Sequence, residues 1–168
     1  EVTVSPNEEE VAFVVRGEVF VANVEFGTTK RITNTPQQER SVTWGADNRT
    51  LYYAGERDKS WNLYQAKVTR DDELGFANST IVTEEQLLVS EDETFQPMAS
   101  PDGKKLAYLK NRTELMVLDL ETKKSSTLLP AKSNFSYTDG DIDYRWSPDS
   151  RWLVTTYHGH ESWTKEIG

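Results

Sequence analysis

The side chains able to do chemistry in this sequence are few, and most lie towards its C-terminal end. The only histidines are His158 and His160, followed directly by Glu161. On a strand, residues at i and i+2 share one face, a spacing from which a metal ion can be held. No third, separated ligand accompanies them, so the segment reads as an exposed hairpin tip. Asp139, Asp141 and Asp143 place carboxylates at alternate positions, as a calcium loop does. The EF-hand pattern also needs glycine at its sixth position and glutamate at its twelfth. Tyr144 and Ser150 stand there instead. A Gly-x-Ser-x-Gly nucleophile elbow is absent, and so are a phosphate loop and a dinucleotide fingerprint. Cysteine is missing altogether, which excludes a thiolate nucleophile, a thiolate zinc site and a disulfide framework. No catalytic residue, cofactor or metal is expected in this chain.

Composition narrows the partners. The 168 residues carry 19 Lys and Arg against 28 Asp and Glu, a formal charge of −9. A surface of that sign repels nucleic acid and anionic lipid, so neither is an expected partner. Five Trp, seven Tyr and six Phe supply the apolar payload of a folded core. No apolar run approaches the ~20 residues of a membrane-spanning helix, so no membrane insertion is expected. The chain opens at Glu1 without methionine and ends at Gly168 without a turn signal, which reads as a piece of a longer polypeptide.

The elements that carry these residues come in repeats. A short turn followed by a small apolar strand occurs four times. The turns are Ser5-Pro6-Asn7-Glu8, Gly45-Ala46-Asp47-Asn48, Ser100-Pro101-Asp102-Gly103 and Ser147-Pro148-Asp149-Ser150. Their starts are 40, 55 and 47 residues apart, which brackets the length of a four-stranded propeller blade. The long second interval holds a polar insertion around residues 70–75, expected to be a surface loop. The turn chemistry is consistent. Proline presets φ at the first central position, Asp or Asn bonds its own backbone, and Gly or Asn accepts positive φ.

Alternating, β-branched stretches flank each turn, and no segment carries a convincing helical stripe. Outer strands are expected at 29–33, 86–89 and 125–129, with residues 83–88 the one helical alternative. Trp44 and Trp146 both stand immediately before their turns, so they are expected to pack blade against blade. In the same register, His158-Gly159-His160 falls opposite Glu56-Arg57-Asp58, in the hairpin loop between second and third strands. Asn-x-Ser/Thr sequences at Asn48, Asn78, Asn111 and Asn134 read as chance in a Thr-rich chain.

The units resemble the Pro-Asp-Gly, WD-like propeller repeats of TolB and of tricorn-type peptidases. The clearest copies are Gln96-Pro97-Met98-Ala99-Ser100-Pro101-Asp102-Gly103 and Tyr144-Arg145-Trp146-Ser147-Pro148-Asp149-Ser150-Arg151-Trp152. The resemblance implies an all-β propeller segment, with blades at roughly 1–38, 39–92, 93–138 and an incomplete 139–168, within a ring of about six or seven. It implies a non-catalytic N-terminal propeller of a tricorn-like serine peptidase that gates or guides peptides. The alternative is a TolB-like periplasmic interaction module with no enzyme domain. Expected partners are a peptide or protein ligand, the remaining blades and a C-terminal domain of the same chain. The expected location is the periplasm or cell envelope, with the cytoplasm as alternative.

In a propeller the inner strands line a central channel. The residues entering those strands are polar where a buried strand would be apolar. Arg40, Gln96, Asp141 and Asp143 are therefore the candidate channel-lining residues, with Arg40 suited to a carboxylate terminus and Asp143 to an amino terminus.

Overall fold

A computed structural model describes residues 1–134, 142–158 and 165–167. Strands run β1 Val2–Val4, β2 Glu10–Val15, β3 Glu18–Asn23, β4 Thr29–Arg31, β5 Glu39–Trp44, β6 Thr50–Arg57, β7 Ser60–Val68 and β8 Val82–Gln86. They continue as β9 Thr94–Ala99, β10 Lys105–Lys110, β11 Glu114–Asp119, β12 Ser125–Leu129, β13 Tyr144–Trp146, β14 Leu153–His158 and β15 Lys165–Ile167. They form antiparallel sheets in simple meander order: three of four strands and, among the described residues, one of three. The first strand of each sheet stands nearest the shared interior, and the rest step outwards. This is the architecture of a β-propeller segment.

The four turns share one hydrogen-bond scheme, which accounts for their recurrence. In the third blade the Ser100 hydroxyl donates to Asp102 Oδ1 at 2.6 Å, and Asp102 Oδ1 accepts from Lys104 N at 3.1 Å. Ser100 Oγ in turn accepts from Lys105 N at 2.9 Å. Ser5 with Asn7, and Ser147 with Asp149, repeat these bonds. The second copy has Gly45 in place of the serine. There Asp47 takes over both roles, accepting from Arg49 N, Thr50 N and the Thr50 hydroxyl. The last turn residue has positive φ every time: Glu8 62°, Asn48 56°, Gly103 70° and Ser150 59°. Glycine is not obligatory there because the side-chain bonds hold the backbone.

Sheets bury their apolar faces against the neighbouring blade. Ala12, Val19 and Val21 of the first blade pack with Trp44, Leu51, Tyr53 and Tyr64 of the second. A second cluster runs from Tyr52, Trp61 and Leu63 through Phe95, Leu106 and Leu115 to Ile142 and Tyr144. Trp44 and Trp146 pack between blades as their repeat positions require. Trp44 Nε1 donates to Thr3 O at 3.2 Å, and Trp146 Nε1 donates to Met98 O at 3.0 Å. Thr3 and Met98 each stand two residues before their own turn, so the two bonds are equivalent.

One expectation needs correction. The outer strand of the second blade is β8, four residues earlier than 86–89, and residues 82–86 are extended rather than helical. Four of its five residues are exposed. Cross-strand bonds from Tyr53 and Arg57 to Glu84, and from Gln65 to Glu85, hold this edge in place of apolar burial. A Glu-rich edge of this kind carries no apolar alternation to read. Residues 70–75 lie at the surface as expected, and the loop then turns inwards, burying Phe76, Ala77 and Ser79.

The insertion clamps the first blade to the second. The buried Glu10 carboxylate accepts from Phe76 N at 3.0 Å and Ala77 N at 2.7 Å. Phe76 meets Trp44 edge-on at 5.6 Å. A Cβ on Gly75 would lie 2.7 Å from the Glu10 carboxylate, so a larger residue there has to push that carboxylate off its position. Glu10→Ala removes the acceptor and leaves two inward-facing N–H groups unpaired. It is expected to cost about 3 kcal/mol in a denaturant melt, against about zero for the exposed Glu9→Ala.

Candidate functional site

The inner strands of all four blades converge on one cleft of about 300 Å³. Its wall includes Glu1, Ser41, Gln96 and Asp143. Each of the four stands four positions before its turn's first residue, Ser5, Gly45, Ser100 or Ser147. They are repeat-equivalent, so propeller geometry brings them to one level of the wall. Two acidic residues, a glutamine and a serine thus line a common space, with Arg145 beside them.

Backbone irregularity shapes this level. The β5–β6 register shifts between Arg40 and Thr43, and the β9–β10 register shifts opposite Phe95 to Met98. Ser41 and Gln96, at matching places in these bulges, have φ of 59° and 48°. A bulge re-aims the side chain and frees backbone groups from the ladder. Those groups then bond between blades. Ser41 N donates to the Glu1 carboxylate, and the Tyr144 hydroxyl donates to Gln96 O. Burial pushes the Tyr144 hydroxyl well above its usual range, with Arg145 opposing, so it stays a neutral donor. Gln96 Oε1 is buried in the wall without a hydrogen-bond partner among the described residues.

Of the candidate residues, the structure brings Gln96 and Asp143 together in this wall. Asp141 lies outside the described residues. Arg40 is not among the residues lining the cleft. Its guanidinium lies over the Trp61 ring at 3.8 Å and near Phe95 at 5.2 Å, between the second and third blades. Glu1 and Ser41 belong to the wall and were legible, since the offset that marks Gln96 and Asp143 marks them too. The loop carrying His160 lies outside the described residues. Among the described residues no group of three His, Asp or Glu is placed to hold a metal ion.

A separate ionic cluster sits in the second blade. Arg57 pairs with Glu39 at 3.2 Å and with Glu84, and its guanidinium lies 4.1 Å over the Tyr64 ring. Burial first, and then Glu84, push the Tyr53 hydroxyl far above its usual range. Glu39 is wholly buried at its side chain, so this cluster is a brace rather than an accessible site.

No protein-family model matches the chain, and no curated protein matches it by sequence. Solved structures do match by shape. A TolB protein from Agrobacterium tumefaciens superposes with a TM-score of 0.71 at 18% identity, over 99% of this chain and 59% of that one. TolB from Acinetobacter baumannii gives 0.70 at 17%, over 95% of this chain and 38% of that one. The tricorn protease gives 0.65 at 20%, over 95% of this chain and 14% of that one. The chain thus spans well under two thirds of each protein. At these identities the likeness shows the propeller fold.

The turn carboxylates are expected to make the segment's stability fall in acid. Hydrogen bonds from Ser100 and Ser147, then from the Lys104 and Arg151 amides, hold the Asp102 and Asp149 carboxyls below the ordinary 3.8. Carboxyls lowered in the folded state add stability above their unfolded pKa, and lose it as pH falls through the folded value. Asp102→Asn with Asp149→Asn is therefore expected to flatten the acid limb of stability against pH below about 4. Chemical denaturation across pH checks this, and an unchanged limb contradicts it.

Proposed function

We propose that this chain is the non-catalytic propeller segment of a longer, tricorn-like peptidase and guides peptides at the mouth of its ring. The observation that carries the reading is the convergence of four repeat-equivalent polar positions on one cleft. Beyond the inter-blade bonds of Glu1 and Gln96, the wall offers a ligand the polar residues Ser41 and Asp143 at the same level. The acceptor-rich wall suits an amino terminus or a backbone N–H of an extended peptide. Chemistry would lie on a further domain of the same chain, with further blades covering the exposed apolar side chains Val2 and Val4 of the first sheet and Val154 of the last.

A second reading is a TolB-like module that binds a folded protein partner in the periplasm and has no peptidase domain. The likeness of fold to the two TolB structures accords with it. Among the described residues no helix is long and apolar enough to cross a membrane, which accords with either reading.

Peptide binding to the full-length protein separates these readings. Under the first, short unstructured peptides bind, and Asp143→Ala or Gln96→Ala weakens them about tenfold, the loss of one good polar contact. Under the second, short peptides do not bind. Binding that neither substitution changes would leave the cleft as scaffold and overturn the guiding role.

A further inference from the structure

A second cleft lies away from the channel mouth, on the first blade. It has a volume of about 620 Å³ and runs between the β3–β4 turn and the 70–81 insertion. Its rim exposes three large apolar side chains: Val24 at 58%, Phe26 at 72% and Leu74 at 87%. Scattered exposed apolar residues are ordinary, but three gathered at one groove mark an interaction surface.

These side chains are held out rather than left loose. Asn23 Oδ1 accepts from Glu25 N at 3.0 Å and Phe26 N at 2.9 Å, fixing the turn that presents Phe26. On the opposite wall, the Glu73 carboxylate accepts from Thr80 N at 2.7 Å and from the Thr80 hydroxyl. Arg49 donates to the carbonyls of Glu73 and Arg70, and Glu10 holds the amides of Phe76 and Ala77 beneath. Leu74 is thus carried by a loop pinned on both sides of it. An apolar groove with fixed walls lowers the ordering cost of binding.

The charge of the groove selects its occupant. Glu8, Glu9 and Glu25 are exposed in its walls and no Lys or Arg is among the lining residues, while Asp72 is already paired with Arg70 at 2.8 Å. Glu10 and Glu73 carry further negative charge at the base, where Glu73 Oε2 is buried without a hydrogen-bond partner among the described residues. We propose that this groove docks a basic peptide segment, with a bulky apolar side chain between Phe26 and Leu74 and flanking Lys or Arg over the carboxylates. The surface is distinct from the channel mouth and does not depend on its role.

Fluorescence anisotropy on the full chain tests this, with a dye-labelled peptide carrying one leucine between paired lysines. Phe26→Ser with Leu74→Ser, and separately Glu8→Lys with Glu25→Lys, are expected to weaken binding about tenfold or more. Rising salt should weaken it as well, while Glu121→Lys, an exposed charge reversal in the third blade that lines neither cleft, leaves it unchanged. Unaltered circular dichroism and melting midpoints confirm that the variants fold. Absence of binding, equal binding of a serine-for-leucine peptide, or retained affinity in both double variants would overturn the proposal.

Discussion

A four-stranded sheet with one apolar face cannot exclude water from that face alone, and here each sheet meets this constraint by lying on the next. The apolar clusters both cross blade boundaries, one between the first and second blades and the other from the second to the fourth. Apolar burial gives no direction, so something else must set how far each blade slides. Equivalent indole bonds do so at two joints, Trp44 to Thr3 and Trp146 to Met98. The turns add a matching pair, Asn7 N to Asn48 Oδ1 and Asp102 N to Ser150 Oγ, each at 2.9 Å. At the middle joint Gly103 approaches Ala46 instead, where an added Cβ would sit 3.4 Å away, and Trp61 tilts on Phe95 at 5.8 Å.

Blade register explains the cleft. Once equivalent positions are level, any residue type placed four before the turn reaches the same height in the interior. Glu1, Ser41, Gln96 and Asp143 meet for that reason, although 40 to 55 residues separate them along the chain. The bulges at Ser41 and Gln96 then release backbone groups that tie one blade to the next. The scaffold and the candidate site share the same cause.

What was legible in the sequence is what repeats. The turns, the blade-packing tryptophans and the propeller fold follow from local patterns that recur at fixed offsets. Gln96 and Asp143 were found as polar residues on inner strands, and Arg40 was chosen by the same logic. Arg40 instead lies over Trp61, because the adjacent aromatic face competes for a guanidinium and no offset rule records that. Residues 70–75 were legible as surface, but the inward turn at Phe76 was not, because its anchor, Glu10, lies 66 residues away. Such long-range pairing, like the Tyr53 and Arg57 bonds that hold Glu84, leaves no periodic trace in the chain.

Exchange of the tryptophan indole protons, followed by NMR, tests the blade-register account most directly. It predicts slow exchange for the Nε1–H groups of Trp44 and Trp146, which donate across blade joints, and fast exchange for Trp152, which is 68% exposed. Exchange of Trp44 and Trp146 as fast as that of Trp152 would contradict it.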